Sequence, residues 1–108
     1  MREGLYRVQF QTQLGAGAGI VYARDGKLWG GDAGIFYVGT YQEDGDKFTA
    51  KVSIDRHTQH PGIASVFGVD KANITLTGSS SGGTITTTGT AAEVPGVQFQ
   101  AILTHIRD

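Results

Sequence analysis

Cysteine is absent from this 108-residue chain, and proline, excess charge and long apolar runs are scarce. Without thiols the chain forms no disulfides, and its three histidines have no thiolate partners for zinc. A net charge of −1 argues against direct nucleic-acid binding, which usually requires a basic excess. No apolar run approaches the roughly 18 residues of a membrane span, and the amino terminus has no signal-peptide core. We therefore expect a cytoplasmic protein with no membrane partner.

Glycine is abundant instead, with 17 residues against only two prolines. These glycines show no collagen period, and valine, isoleucine, threonine and aromatic residues dominate between them. Such residues favour the pleated, half-buried surfaces of strands. The composition predicts an all-β protein, and the length predicts one domain over residues 1–108.

Apolar and polar residues alternate in the segments that we predict to be strands, as in Leu5–Gln13 and Phe48–Asp55. Asp25-Gly26 and Asp44-Gly45 are hairpin signals, because a type I′ turn needs positive φ at both central residues. We interpret Gly15–Gly19 as a connection and Ile63–Phe67 as one short helical turn. About eight strands joined by mostly short connections indicate an up-and-down meander.

The first and last strands of this meander each have one apolar face and no proline to protect an open edge. Closing the meander removes both edges and turns the apolar faces inward. We therefore predict a small eight-stranded up-and-down antiparallel barrel. A two-sheet sandwich is the alternative.

The bend Gly30-Gly31-Asp32 follows the first hairpin. Three residues are too few to indicate nucleotide chemistry, so we interpret the bend as structural. The glycines would adopt positive φ or allow close backbone approach. The Asp32 carboxylate would accept backbone N–H bonds across the bend.

The fourth predicted strand is apolar on both faces, with Ile35, Tyr37 and Tyr41 on one face and Phe36 and Val38 on the other. A strand that is apolar on both sides suggests a second covered face. We therefore predict a dimer interface on this strand and assign Ile35, Tyr37 and Tyr41 to it.

The segments Gly17–Ile20, Gly30–Asp32 and Tyr37–Gly39 resemble the GrlR-type negative regulators of type III secretion. Gly4-Leu5-Tyr6 is similar to the start of that family's first strand, and Pro61–Val66 falls where the family has a similar loop. The resemblance extends from residue 4 to about residue 68. It implies a lipocalin-like barrel that forms a homodimer and restrains a transcriptional activator by binding it.

The resemblance also implicates an acidic surface loop of four alternating Glu and Asp residues. This loop matches Glu43, Asp44, Gly45 and Asp46, with glycine in place of one acid and Lys47 directly after it. We interpret the three carboxylates as a docking element for a basic segment of a protein partner. The structural alternative is a solvated turn. A calcium site is a weaker interpretation, because the three acids do not have the longer spacing of ligands that a calcium-binding loop requires.

The sequence therefore predicts a non-catalytic regulatory protein that binds a protein partner through its surface. It contains no paired catalytic groups, and nothing in it indicates a cofactor or a metal. His57, His60 and His105 are interpreted as surface histidines. The alternative function is a carrier of an apolar, lipid-like ligand inside the barrel. A carrier needs a cavity of a few hundred cubic ångströms, which a packed aromatic interior would exclude.

Overall fold

The computed structural model describes residues 1–59 and 65–108, and its regular elements are eight β-strands. In chain order they are β1 Gly4–Thr12, β2 Gly15–Arg24, β3 Lys27–Gly31, β4 Ile35–Asp44, β5 Lys47–Arg56, β6 Ala72–Ser81, β7 Thr84–Ala91 and β8 Gln98–Arg107. No helix is present in the described residues. The all-β prediction is confirmed.

Each strand pairs antiparallel with the next, and β1 also pairs with β8, so the sheet closes on itself. On the closing seam Tyr6 lies opposite His105 and Leu5 opposite Arg107, which leaves Ile106 as a bulged residue. The closed barrel is confirmed over the sandwich, and its up-and-down order is compatible with a lipocalin-like fold.

The β2–β3 hairpin turns at Asp25-Gly26, whose φ angles are 51° and 76°. These angles fit a type I′ turn, which matches the right-handed twist of the flanking strands. The turn fixes the register of β2 against β3, placing Tyr22 directly opposite Trp29.

The glycine-rich segment before this hairpin is strand, and its interpretation as a connection was wrong. β2 begins at Gly15 and pairs with β1 along its whole length. A Cβ on Gly17 would meet the Phe10 ring, and one on Gly19 would meet the Tyr37 hydroxyl. The glycines therefore make room for aromatic rings inside the barrel.

The barrel interior is filled by apolar side chains from all eight strands. Phe99 stacks on Phe67 with ring centroids 4.9 Å apart and on Phe10 with centroids 6.1 Å apart. Thr87 is buried among them, and its hydroxyl donates a hydrogen bond to the Ala101 carbonyl at 2.8 Å.

Chain segments outside the strands pack against each end of the barrel. At one end the Thr12 hydroxyl donates to the Val66 carbonyl, and Phe67 is buried. At the other end Met1 packs on the core, and the Tyr6 hydroxyl donates to the Arg2 carbonyl.

The predicted helical turn lies partly outside the described residues, because residues 63 and 64 are not among them. Its remaining part is a turn, in which the Gly68 amide donates to the Ser65 carbonyl at 3.0 Å. That turn places Val66 and Phe67 against the barrel interior.

Candidate functional site

The bend between β3 and β4 is organised by one carboxylate. Asp32 Oδ1 accepts the amides of Gly34 at 3.0 Å and Ile35 at 2.9 Å, and Oδ2 accepts the Tyr37 hydroxyl. Gly30 and Gly31 are not in the positive-φ region. A Cβ on Gly30 would overlap the Ile20 carbonyl oxygen, so the geometry at this bend is close backbone approach.

The Tyr37 hydroxyl is held in its protonated form. Burial raises the pKa of Tyr37 far above its ordinary value near 10, and the hydrogen bond to Asp32 and the charge of that carboxylate add to the rise. A phenol that keeps its proton serves as a fixed donor, so its hydrogen bond to Asp32 fastens the bend to β4.

The interior cavity beside this pair has a volume of about 90 Å³. Its walls are apolar except for Asp32, Tyr37 and Ser65. Sites for drug-sized ligands are about 300–1,000 Å³. Aromatic side chains fill much of the interior around it: Tyr6, Phe48 and Phe99 are buried and Phe10 is partly buried. The cavity is too small for a lipid-like ligand in this conformation.

The acidic turn does not present its three carboxylates together. Glu43 is directed toward the barrel end, where it forms an ion pair with the Met1 ammonium and is 19% exposed. Asp44 and Asp46 are exposed on the turn itself. Gly45 between them has a φ of 62°. Only Asp44, Asp46 and the adjacent Lys47 therefore remain available to an external partner. The negative charge of the turn is weaker than that of the three carboxylates that the sequence predicts to act together.

The assignment of Ile35, Tyr37 and Tyr41 to an outer dimer interface requires correction. Ile35 is 4% exposed and Tyr37 8% exposed, and both line the interior, while Tyr41 stacks on the buried Phe48 at 6.0 Å. Side chains alternate across a strand, so the outward face of β4 carries Phe36 and Val38 instead.

Those two residues belong to a larger exposed apolar surface, which we call the Trp29 face. It consists of Ile20, Tyr22, Trp29, Phe36 and Val38. One row of the sheet places Tyr22, Trp29 and Val38 side by side, and the next row places Ile20 and Phe36 on either side of Gly31. The Tyr22 and Trp29 rings lie 6.4 Å apart. Large contiguous apolar surfaces are unusual on monomeric proteins and mark interaction sites.

The opposite side of the barrel has a different chemistry. Six of its outward residues on β6, β7 and β8 are uncharged and polar: Thr75, Thr77, Thr88, Thr90, Gln98 and Gln100. Thr77 lies opposite Thr88, which lies opposite Gln100. Exposed apolar residues also occur on β8, at Ile102 and Ile106, but they do not form a cluster of aromatic side chains like the Trp29 face.

The histidines give no site within the described residues. His57 is exposed, with its Nε2 3.0 Å from the Asp32 carbonyl oxygen. The surface interpretation of His105 was wrong, because its side chain is 12% exposed and packs edge-on against Tyr6 at 5.1 Å. His60 lies outside the described residues. No group of three or more potential metal ligands occurs in the described part of the chain.

Comparison with known proteins gives no relative on which to base a function. No family model matches the chain, and no curated protein matches it.

In residues 1–59 and 65–108, no helix has the length and hydrophobicity needed to cross a bilayer.

Proposed function

We propose that the chain is a non-catalytic binding protein that captures a protein partner on the Trp29 face. The observation that carries this proposal is the exposure of Trp29 and Val38, at 44% and 46%, as neighbours in a continuous apolar surface. Tryptophan and tyrosine are enriched among the residues that dominate binding energy in interfaces. Leaving these side chains in water has a cost that a bound partner removes.

The rigidity of the barrel supports this kind of function. β3, which carries Trp29, is hydrogen-bonded on both sides by β2 and β4, and the bend that follows it is fixed by Asp32. A preformed surface loses little conformational entropy when it binds. The regulatory role of the GrlR type, with a transcriptional activator as the partner, is the specific form of this function that the sequence resemblance implies.

The carrier alternative receives less support. An interior cavity of about 90 Å³ holds a few water molecules or a very small apolar solute. A lipid-like ligand would require several aromatic side chains to leave the interior. The outer surface is the better candidate for recognition.

Capture experiments with two matched variants test the proposal. Val38→Glu places a charge in the Trp29 face, and Thr88→Glu places the same charge on the polar side of the barrel. Both replace an exposed β-branched residue that points outward from a strand paired on both sides. With immobilised purified protein and a lysate of the native organism, we expect Val38→Glu to lose proteins that wild type and Thr88→Glu both retain. Equal recovery by all three would contradict the proposal.

A further inference from the structure

The Trp29 face is bordered by positive charge that the rest of the molecule does not neutralise. Within residues 1–59 and 65–108, five of the nine basic side chains take part in no ion pair. These five are Arg7, Lys27, Lys47, Lys51 and Arg107. Four of them, all except Lys47, border the Trp29 face, although the chain as a whole has a net charge of −1.

Strand register places these four cations around the apolar rows. Lys27 lies opposite Thr40, which lies opposite Lys51, one row above Trp29 and Val38. Arg7 lies opposite Ile20 at the β1 side of the lower row. Arg107 lies opposite Leu5, and Leu5 in turn lies opposite Tyr22, so Arg107 is on the same side of the face as Arg7.

Two carboxylates at the border of this face are in ion pairs, and a third, Glu3, accepts the Asp25 amide at 2.7 Å. Asp55, opposite Phe36, lies 3.6 Å from the Lys71 ammonium. Asp25, at the hairpin turn, lies 3.7 Å from the Arg24 guanidinium. Among the residues that the structure describes, four cations and one carboxylate, that of Glu3, are therefore in no ion pair around the apolar surface, so its border carries a net positive charge.

We propose that the Trp29 face binds an acidic segment of a partner protein, in which apolar side chains are flanked by carboxylates. This inference rests on the proposed function and specifies its partner. The apolar side chains of the segment would pack on Trp29 and Tyr22, and its carboxylates would meet Lys27 and Lys51 above and Arg7 at the side. Complementary charge at the border of an interface raises the association rate and selects partners.

Other occupants fit the surface less well. A second copy of the chain would bring another cationic border against the first, and like charges in an interface are unfavourable. Nucleic acid usually binds domains that carry a strong excess of basic residues, whereas this chain is slightly acidic. The Trp29 face also includes the aliphatic residues Ile20 and Val38 beside its aromatic ones. An acidic, apolar segment satisfies both the charge and the hydrophobicity of the face.

Titrations monitored by tryptophan fluorescence test the inference directly, because Trp29 is the sole tryptophan in the chain. The probes are a tryptophan-free synthetic peptide with a leucine- and phenylalanine-rich centre flanked by glutamates, and the same peptide with lysines in place of the glutamates. We expect saturable binding of the acidic peptide, at least about tenfold tighter than the basic one, and weaker binding as salt is raised.

Charge variants identify the contacts. We expect the double variant Lys27→Glu, Lys51→Glu to weaken binding of the acidic peptide about tenfold or more, and the control Lys47→Glu to change it less than about twofold. These lysines are exposed, so the fold should persist, which circular dichroism verifies. Equal binding of both peptides, or no response to the double variant, would overturn the inference.

Three further measurements address the competing occupants. Concentration-dependent dimerisation through this face, lost in Val38→Glu, would overturn the inference in favour of a second copy. Tighter binding to vesicles of anionic phospholipid, or to a thymidine oligonucleotide, than to the acidic peptide would also overturn it. If Val38→Glu loses captured proteins but those proteins bind through basic segments, the proposed function stands and the acidic-partner inference fails.

Discussion

The phenol of Tyr37 donates a hydrogen bond to the carboxylate of Asp32, five residues earlier in the chain. The other carboxylate oxygen accepts the amides of Gly34 and Ile35. One acidic side chain thus fixes the bend after β3 and also the aromatic ring that enters the barrel from β4. The conformation of the Trp29 face depends on this bend, because Gly31 and Phe36 lie on its two sides.

Removal of the phenol hydroxyl should weaken this connection. We expect Tyr37→Phe to lower the free energy of unfolding by about 1–2 kcal/mol, since a partly buried carboxylate oxygen loses its donor. Urea denaturation at neutral pH measures the change. Tyr22→Phe, which alters an exposed ring, is the control and should differ from wild type by less than about 0.5 kcal/mol. Equal effects of the two variants would contradict this role of Tyr37.

Alkaline pH should reduce the stability that Tyr37 provides relative to phenylalanine at the same position. Burial, and then the hydrogen bond to Asp32, raise the pKa of Tyr37 in the folded state, while in the unfolded chain it stays near 10. Above about pH 10 the unfolded state binds fewer protons than the folded state, so stability falls as pH rises. The stability difference between wild type and Tyr37→Phe should therefore narrow between about pH 9 and pH 11. A constant difference across that range, measured by urea denaturation, would contradict the pKa assignment.

The glycines of β2 should tolerate no side chain toward the interior. A Cβ on Gly19 would meet the Tyr37 hydroxyl and the Gly31 carbonyl, so we expect Gly19→Ala to destabilise the barrel by about 1–3 kcal/mol. Gly96→Ala is the matched control, because a Cβ there has open space around it. Thermal unfolding of both variants gives the comparison. A Gly19→Ala protein as stable as Gly96→Ala would show that the interior can repack.

The acidic turn requires a separate test, because the sequence predicts that it docks the partner. Glu43 is paired with the Met1 ammonium, so the informative change is the double reversal Asp44→Lys, Asp46→Lys. With Trp29 at the docking centre, we expect this variant to retain partner capture within about twofold of wild type, as rim charges act mainly on association rate. A loss of capture comparable to that of Val38→Glu would return the turn to the centre of the interface.

Much of the fold was predictable because alternation and turn chemistry act locally. The period of two in Leu5–Gln13 and Phe48–Asp55 defines an inward face, and the absence of edge protection predicts closure of β1 on β8. The strand character of Gly15–Gly19 was not predictable, because it depends on the rings of Phe10 and Tyr37, which arrive from other strands.

The candidate site was predictable only in part. A two-residue turn at Asp25-Gly26 requires Tyr22 to lie opposite Trp29, so their adjacency could have been found from sequence. Either Phe36 and Val38 or Ile35 and Tyr37 could extend this surface on β4, depending on the register across the bend at Asp32. Because β4 is apolar on both faces, the alternation of its sequence does not show which face points inward. The ion pair of Glu43 with Met1 depends on the chain crossing the end of the barrel, which no local pattern encodes.

The most direct measurement of the central claim is the ¹⁹F NMR signal of protein labelled with 5-fluorotryptophan. The single tryptophan gives one resonance, which reports on Trp29 alone. When a captured partner is added, we predict that this resonance shifts or broadens and becomes less sensitive to a soluble paramagnetic quencher. A complex that forms, as light scattering shows, while the resonance and its quenching stay unchanged would contradict docking on the Trp29 face.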